Sequence, residues 1–383
     1  MIQIHPSRAK ALKQLDTFVE NNLALYARDR NFDFGPDKRS NTSCLSPYVT
    51  HGVLSEKEII KEAIKKFPFS KIEKFIQEVL WRTYWKGWLE RRPSLWTDFV
   101  NDLENLKKDF QNNKNLKNAI NGNTDIECFN HWVNELKKTG YLHNHARMWF
   151  SSIWIFTLDL PWQLGGEFFM KHLKDGDPAS NTLSWRWTAG LQTKGKNYVA
   201  QEWNIKKFTN QRYEKVKLNE NATPIVSDKE YIQINPEFDN SEITEDQTLL
   251  IFDNQLCFEE SDFKNYKFKK IILIKNTNLT RSIELDECLV KFKSDLIADQ
   301  QTRLQDKFEV EIRDISYLKN FDLFNAIALY PGIGENFDFL NENKINLKFL
   351  YREFDQITNQ YCNKGFFNFK KFIPKILSKL DEL

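Results

Sequence analysis

Residues 140–187, GYLHNHARMWFSSIWIFTLDLPWQLGGEFFMKHLKDGDPASNTLSWRW, carry the spacings from which the rest of the chain is read. Asn144, Arg147, Met148 and Ser151 fall at i, i+3, i+4 and i+7, one face of a helix, while Trp149, Phe150, Ile153, Trp154 and Ile155 cover its other sides. Pro161 disfavours helix at Leu160 and suits the start of a new one, predicted to run through Gln163 and Phe168 to about Leu173. Asp175-Gly176-Asp177 then turns the chain. Asp177 is a good N-cap and Pro178 a good first residue for a third helix, which carries Asn181, Trp185 and Trp187. Its positive dipole end points into the space that the polar stripe lines. Taken singly, Arg147 with Asp175 reads equally as a buried ion pair, and the tryptophans as core.

With 383 residues and 41% hydrophobic content, the chain suits two domains with cores of their own. No apolar run approaches the ~20 residues of a membrane span. Residues 1–13 lack the order of a signal peptide, so cytoplasmic residence is the expectation. Cys44, Cys128, Cys257, Cys288 and Cys362 are scattered without a C-x-x-C, which predicts reduced, buried thiols and no disulfide framework, zinc or iron–sulfur site. Net charge is only +2, yet residues 1–217 hold 34 Lys+Arg against 24 Asp+Glu, leaving 21 against 29 in the remainder. All 11 tryptophans and all 6 histidines also precede residue 218. Two domains with different tasks are the simplest account. A basic, aromatic-rich first part is compatible with nucleic acid, where cations meet phosphates and rings stack on bases, although such an excess often only solvates a surface.

Working outward, residues 9–28 have a helical apolar period ending at Tyr26, and residues 42–48, TSCLSPY, cluster hydroxyls before Pro47 at a helix start, a plain N-cap or a set of donors for a phosphate. Ser55 and Glu58 form a capping box for a helix reaching about Phe67. The helix predicted over 71–91 has a core face and a second face with Glu78, Trp81, Arg82 and Trp85, able to bond and stack a ligand. Residues 126–138 make a further amphipathic helix. Residues 218–247, rich in Asn, Asp, Glu and Pro, read as a linker with one short strand around 231–234. Strand-like runs at 248–252, 270–274, 308–312, 326–330 and 347–351, with helical text such as 289–306 between some of them, predict a small α/β domain with a mostly parallel sheet. The division is therefore 1–217, a linker at 218–247, and 248–383. Pro331-Gly332-Ile333-Gly334 follows a strand but lacks the third glycine of a dinucleotide fingerprint.

His143-Asn144-His145-Ala146-Arg147-Met148, Asp175-Gly176-Asp177, Asn181 and Trp185-Arg186-Trp187 together resemble the FAD-binding domain of the cryptochrome/photolyase family, as do TSCLSPY and the run EVLWRTYWKGW. The resemblance implies a mostly helical FAD-binding domain followed by the α/β unit. It implies FAD held by Tyr26, Thr42, Ser43, Leu45, Ser46, Arg82, Asn144, Arg147, Asp175, Asp177 and Asn181, with Asn181 as neighbour of flavin N5. Glu78, Trp81, Asn144, Met148 and Trp187 match its lesion contacts, and Trp185 and Trp162 the first two members of its electron relay. No tryptophan lies between Trp96 and Trp132 to supply the usual third, and Trp149 and Trp154 are candidates for another exit. Cys44 and His145 stand where basic residues are common, and residues 124–130 depart from the family pattern. In the family an α/β antenna domain precedes the helical one, so antenna binding is not carried over to a unit that follows it.

The activity implied is that of a DNA photolyase, a carbon–carbon lyase: blue light drives an electron from reduced FAD onto a UV-induced pyrimidine dimer. The cyclobutane type is favoured because His143-Asn144 replaces the paired histidines of (6-4) photoproduct enzymes. The partner would be UV-damaged DNA, single- or double-stranded, with no membrane and a monomeric chain. The alternative is a cryptochrome-like blue-light receptor that binds FAD without repair, and a silent flavin module joined to a binding domain is a third reading.

Overall fold

Asp177 caps its helix as its place before Pro178 requires, for the carboxylate accepts the N–H groups of Ala179 and Ser180 at 3.0 and 2.9 Å. The helix runs Pro178–Ala189 and stops at Gly190, whose φ of 83° suits glycine. A computed structural model describes residues 4–238 and 240–380. By compactness these fall into two units: Leu25–Ser43 with Ser94–Tyr231, to which Ile4 also belongs, and His5–Ala24 with Cys44–Pro93 and the chain from Ile232 onward. Compactness therefore groups residues across the composition boundaries at 217 and 247.

The first unit is helical. Ser94–Asp109, Lys114–Asn121, Glu127–Thr139, Asn144–Ser152, Trp162–His172, Pro178–Ala189 and Glu202–Phe208 are its longer helices. Asn144–Ser152 does not continue as an α-helix through the apolar run but widens into a π-helix over Ile153–Thr157. Its core is a block of rings: Trp96, Phe129, Trp132, Trp149, Phe150, Trp154 and Trp185 are fully buried. Phe129 and Phe150 lie 4.4 Å apart, and Trp132 and Trp149 stack at 5.5 Å. Gly165 admits this packing, because a Cβ there would strike the Trp185 indole.

The second unit joins N-terminal helices to the sheet. Arg8–Asn21, Ser46–Thr50, Glu56–Lys66 and Phe69–Glu90 precede five strands: β1 (Thr248–Phe252), β2 (Lys270–Lys275), β3 (Val310–Asp314), β4 (Ala326–Leu329) and β5 (Lys348–Leu350). Ser55 and Glu58 complete the capping box of Glu56–Lys66. The sheet order is β3-β2-β1-β4-β5 and every pairing is parallel, so the order reverses beside β1 as in a doubly wound fold. The continuous apolar runs follow from burial on both faces: Leu249 to Phe252 and Ile271 to Ile274 are each wholly buried. No strand forms at 231–234, because that stretch runs irregularly with Ile232 exposed and Ile234 half-exposed. The thiols are not uniformly buried either: Cys257 is half-buried and Cys288 exposed.

In this unit Glu56 is a buried carboxylate between two guanidiniums, 3.1 Å from Arg82 and 3.3 Å from Arg352. Arg352 also pairs with Asp355 at 2.7 Å, and Lys86 approaches Asp355 at 3.6 Å. Burial of Asp355 favours its neutral form, but Arg352 and Lys86 prevail and hold its pKa well below the usual range. Glu90 is buried near the same cations and accepts from Asn359 at 3.0 Å. There burial wins, and the Glu90 carboxyl is pushed up to about 7.

Candidate functional site

In the first unit the turn at 175–177 returns the chain to the Asn144–Ser152 helix. Arg147 donates from Nη2 to Asp175 Oδ2 at 2.8 Å and from Nε to the Leu142 carbonyl at 2.9 Å. The Asp175 side chain is 3% exposed against 22% for Arg147, so the acid is sealed and the guanidinium keeps an open edge. Burial opposes charge on Arg147, yet Asp175 outweighs it and its pKa is raised. Tyr141 lies beneath the guanidiniums of both Arg147 and Arg39, at 5.1 and 5.3 Å. Ser151 Oγ and Thr188 Oγ1, 2.9 Å apart, tie this helix to Pro178–Ala189.

Asn181, on the first turn of Pro178–Ala189, is buried and donates to the Gly166 carbonyl at 2.8 Å. This fixes a non-titrating amide that both donates and accepts. On the same helix Ser180 Oγ, Thr182 Oγ1 and Trp185 Nε1 are buried atoms without a hydrogen-bond partner. Polar groups left so are normally matched by a bound water or ligand. Trp185 meets Phe169 at 5.1 Å and Trp154 at 6.2 Å. Trp162 stacks on Phe99 at 5.5 Å and lies 5.8 Å from the Arg186 guanidinium. Trp149 and Trp154 have no exposed surface, and the Trp149 indole donates to Asn204. Asn144 is exposed, Met148 half-buried, and Trp187 half-buried against Tyr198 at 5.6 Å. Tyr26, Thr42 and Ser43 are half-buried residues of this unit.

Leu45, Ser46, Glu78, Trp81 and Arg82 belong to the second unit. Leu45 is buried, and Ser46 opens the short helix Ser46–Thr50 just after Cys44, whose φ is 51°. Glu78 is half-buried. Arg82 is paired with Glu56, and Trp81 lies flat on Phe366, centroids 3.5 Å apart and planes 12° from parallel. Trp85, read from sequence as part of an open wall, is buried instead beside Trp81 and Tyr84.

A charged cluster in the first unit has no signature in the sequence. Asp33, 1% exposed, lies 3.3 Å from Arg39 and 3.0 Å from Arg212, and Arg39 also meets Glu135 at 2.6 Å. Beside it His143 caps the Asn144–Ser152 helix, its Nδ1 accepting the His145 N–H at 3.1 Å. Burial drives the His143 pKa down to about 3, although Asp33 opposes the fall, so the ring is neutral near pH 7. Asp33 and Arg39 are near in sequence, but Glu135 and Arg212 join them from far along the chain, so no local pattern reveals the cluster.

Residues 75–230 match the family model described as the FAD binding domain of DNA photolyase, which leaves Tyr26 and residues 42–46 outside the match. The deoxyribodipyrimidine photo-lyase of Agrobacterium fabrum is 30% identical over 188 residues, 48% of this chain and 38% of that protein. The one from Buchnera aphidicola is 32% identical over 173 residues, 44% of this chain and 36% of that protein. The chain thus spans well under half the length of these curated relatives. Among solved structures, a bacterial class III photolyase from Agrobacterium tumefaciens gives a TM-score of 0.45 at 26% identity, covering 53% of this chain and 43% of that one. A Synechocystis cryptochrome gives 0.47 at 22%, covering 54% and 44%. Over residues 75–230 this chain is therefore similar to the FAD binding domain of DNA photolyase.

Proposed function

We propose that the protein is a light-driven DNA repair photolyase that splits UV-induced pyrimidine dimers, the cyclobutane type above all, with reduced FAD as electron donor. The observation that carries this reading is the Arg147–Asp175 pair, 2.8 Å apart, beside a helix that presents the buried amide of Asn181. FAD, when bound, supplies the light absorption and the transferable electron. Arg147 would set a fixed positive charge against the ring's polar edge and favour its anionic reduced form, while Asp175 holds that guanidinium in place. Asn181 would bond at the ring without changing protonation state, which leaves proton movement to other groups. Asp177 keeps the Asn181 helix in register through its two capping bonds. Tyr26, Thr42, Ser43, Leu45, Ser46 and Arg82 are proposed for the remainder of the cofactor. Asn144, Met148 and Trp187, with Glu78 and Trp81, are proposed for a damaged dinucleotide flipped out of its stack or presented in a single strand. Monomeric, cytoplasmic action on DNA belongs to the same proposal, and no helix among the described residues is long and apolar enough to cross a membrane.

The test is illumination of the reduced protein with thymine-dimer oligonucleotides, read by recovery of intact thymines. Bound FAD without recovery favours the receptor or silent-module alternative. Glu78→Ala is expected to slow repair about 100-fold if the carboxylate takes part in proton or hydrogen-bond transfer to the lesion, while FAD stays bound. Turnover equal to the parent removes Glu78 from the site. Trp185→Phe should slow photoreduction of oxidised flavin at least tenfold, because phenylalanine is far harder to oxidise than indole, and an unchanged rate rejects the relay assignment.

A further inference from the structure

The segment 363–380 stands apart from its surroundings. The chain after residue 217 holds 21 basic against 29 acidic residues, yet between Asn363 and Leu380 there are five lysines and no Asp or Glu. Four phenylalanines interleave with them, at 366, 367, 369 and 372. The structure gives the rings different tasks. Phe366, 6% exposed, is stacked on Trp81, and Phe369 is fully buried. Tyr84 Oη donates to the Lys364 carbonyl at 2.9 Å and pins the segment at its start. Phe367 lies between these anchors and is 82% exposed. Lys364 and Lys371 flank it and are exposed as well.

A phenyl ring held in water on a firmly anchored element forgoes the gain that burial would bring. A single exposed ring needs no explanation by itself. This one is set among cations, next to the ring stacked on Trp81, in a stretch without acidic residues in an otherwise acidic half. Cations with an exposed aromatic face are what a nucleic-acid strand recognises: phosphates meet the lysines and a base stacks on the ring.

We infer that residues 364–371 form a nucleic-acid contact in which Phe367 stacks on, or wedges beside, the bases flanking the nucleotides presented to Trp81. The inference rests on the photolyase reading and adds how the strand is held there. In a duplex, removing two bases from the stack leaves a gap, and an apolar ring entering it offsets part of the lost stacking. A single strand has no such gap, so Phe367 contributes mainly to duplex binding, whereas Lys364 and Lys371 contribute to both forms.

The test uses the full chain and labelled oligonucleotides bearing one thymine dimer, single-stranded and duplex, followed by fluorescence anisotropy over a salt series. Phe367→Ala is expected to weaken duplex binding about tenfold and single-strand binding much less. The pair Lys364→Gln with Lys371→Gln is expected to lower the slope of log K against log salt by about two in both forms. A Phe367→Ala protein that binds duplex like its parent, or a double lysine variant with an unchanged slope, overturns the contact and leaves the function intact. A parent protein that does not distinguish damaged from undamaged DNA sinks the photolyase reading, and this inference with it.

Discussion

Asp175→Ala is expected to yield a colourless protein whose unfolding free energy is lower by about 3 kcal/mol, the usual result of stranding one partner of a buried ion pair. Asp175 is nearly sealed, and its carboxylate receives Arg147 at 2.8 Å. Removing the acid leaves the guanidinium to the Leu142 carbonyl, at 2.9 Å, and the Tyr141 ring, at 5.1 Å, without the carboxylate that fixes it toward the face where a flavin would need it. Asp175→Asn keeps the shape and a hydrogen-bond acceptor but not the charge, so it separates the two effects. It should recover much of the fold and little of the flavin. Urea unfolding reads the first quantity and visible absorption after reconstitution with FAD the second. An alanine variant that takes up a full complement of FAD would detach this pair from the cofactor altogether.

Glu90→Gln should flatten the pH dependence of stability, and the sign follows from the direction of the shift. The carboxyl is raised from 4.5 to about 7, so the folded state binds the proton more tightly than the unfolded chain does. Its contribution is fully present below pH 4.5, declines as pH rises, and is gone above about 7. At about 1.4 kcal/mol per pKa unit the span is up to about 3 kcal/mol. Gln retains an acceptor for Asn359 and never ionises. Urea midpoints at pH 5 and pH 8 should therefore differ less in the variant than in the parent, with the variant the more stable at pH 8. Equal falls in both proteins would place the proton elsewhere in the cluster.

Much of the fold was legible because local rules and tertiary packing agree. Asp177 before Pro178 announces a helix start, Ser55 with Glu58 a capping box, and the five apolar runs are strands because a parallel sheet buries both faces. The π-helix at Ile153–Thr157 was not legible, since its apolar residues satisfy an α-helical period equally well and only packing decides the winding. Nor was the place of Trp81 and Trp85. A polar and aromatic helix face reads as an open wall, but here Phe366, almost three hundred residues later, covers one of its rings. The Arg147–Asp175 pair was legible as a pair from motif spacing. The cluster of Asp33, Arg39, Arg212 and Glu135 was not, because long-range charge pairing leaves no local periodicity.

The second unit takes its first pieces from the start of the chain and its last from the end. Trp81 and Tyr84 leave the ribosome long before Phe366, the ring that covers them. During synthesis the early helices of this unit therefore wait, apolar faces uncovered, until the strands and the helices after them arrive. A messenger cut short before those codons would release a polypeptide with bare indoles, a natural client for chaperones and proteases.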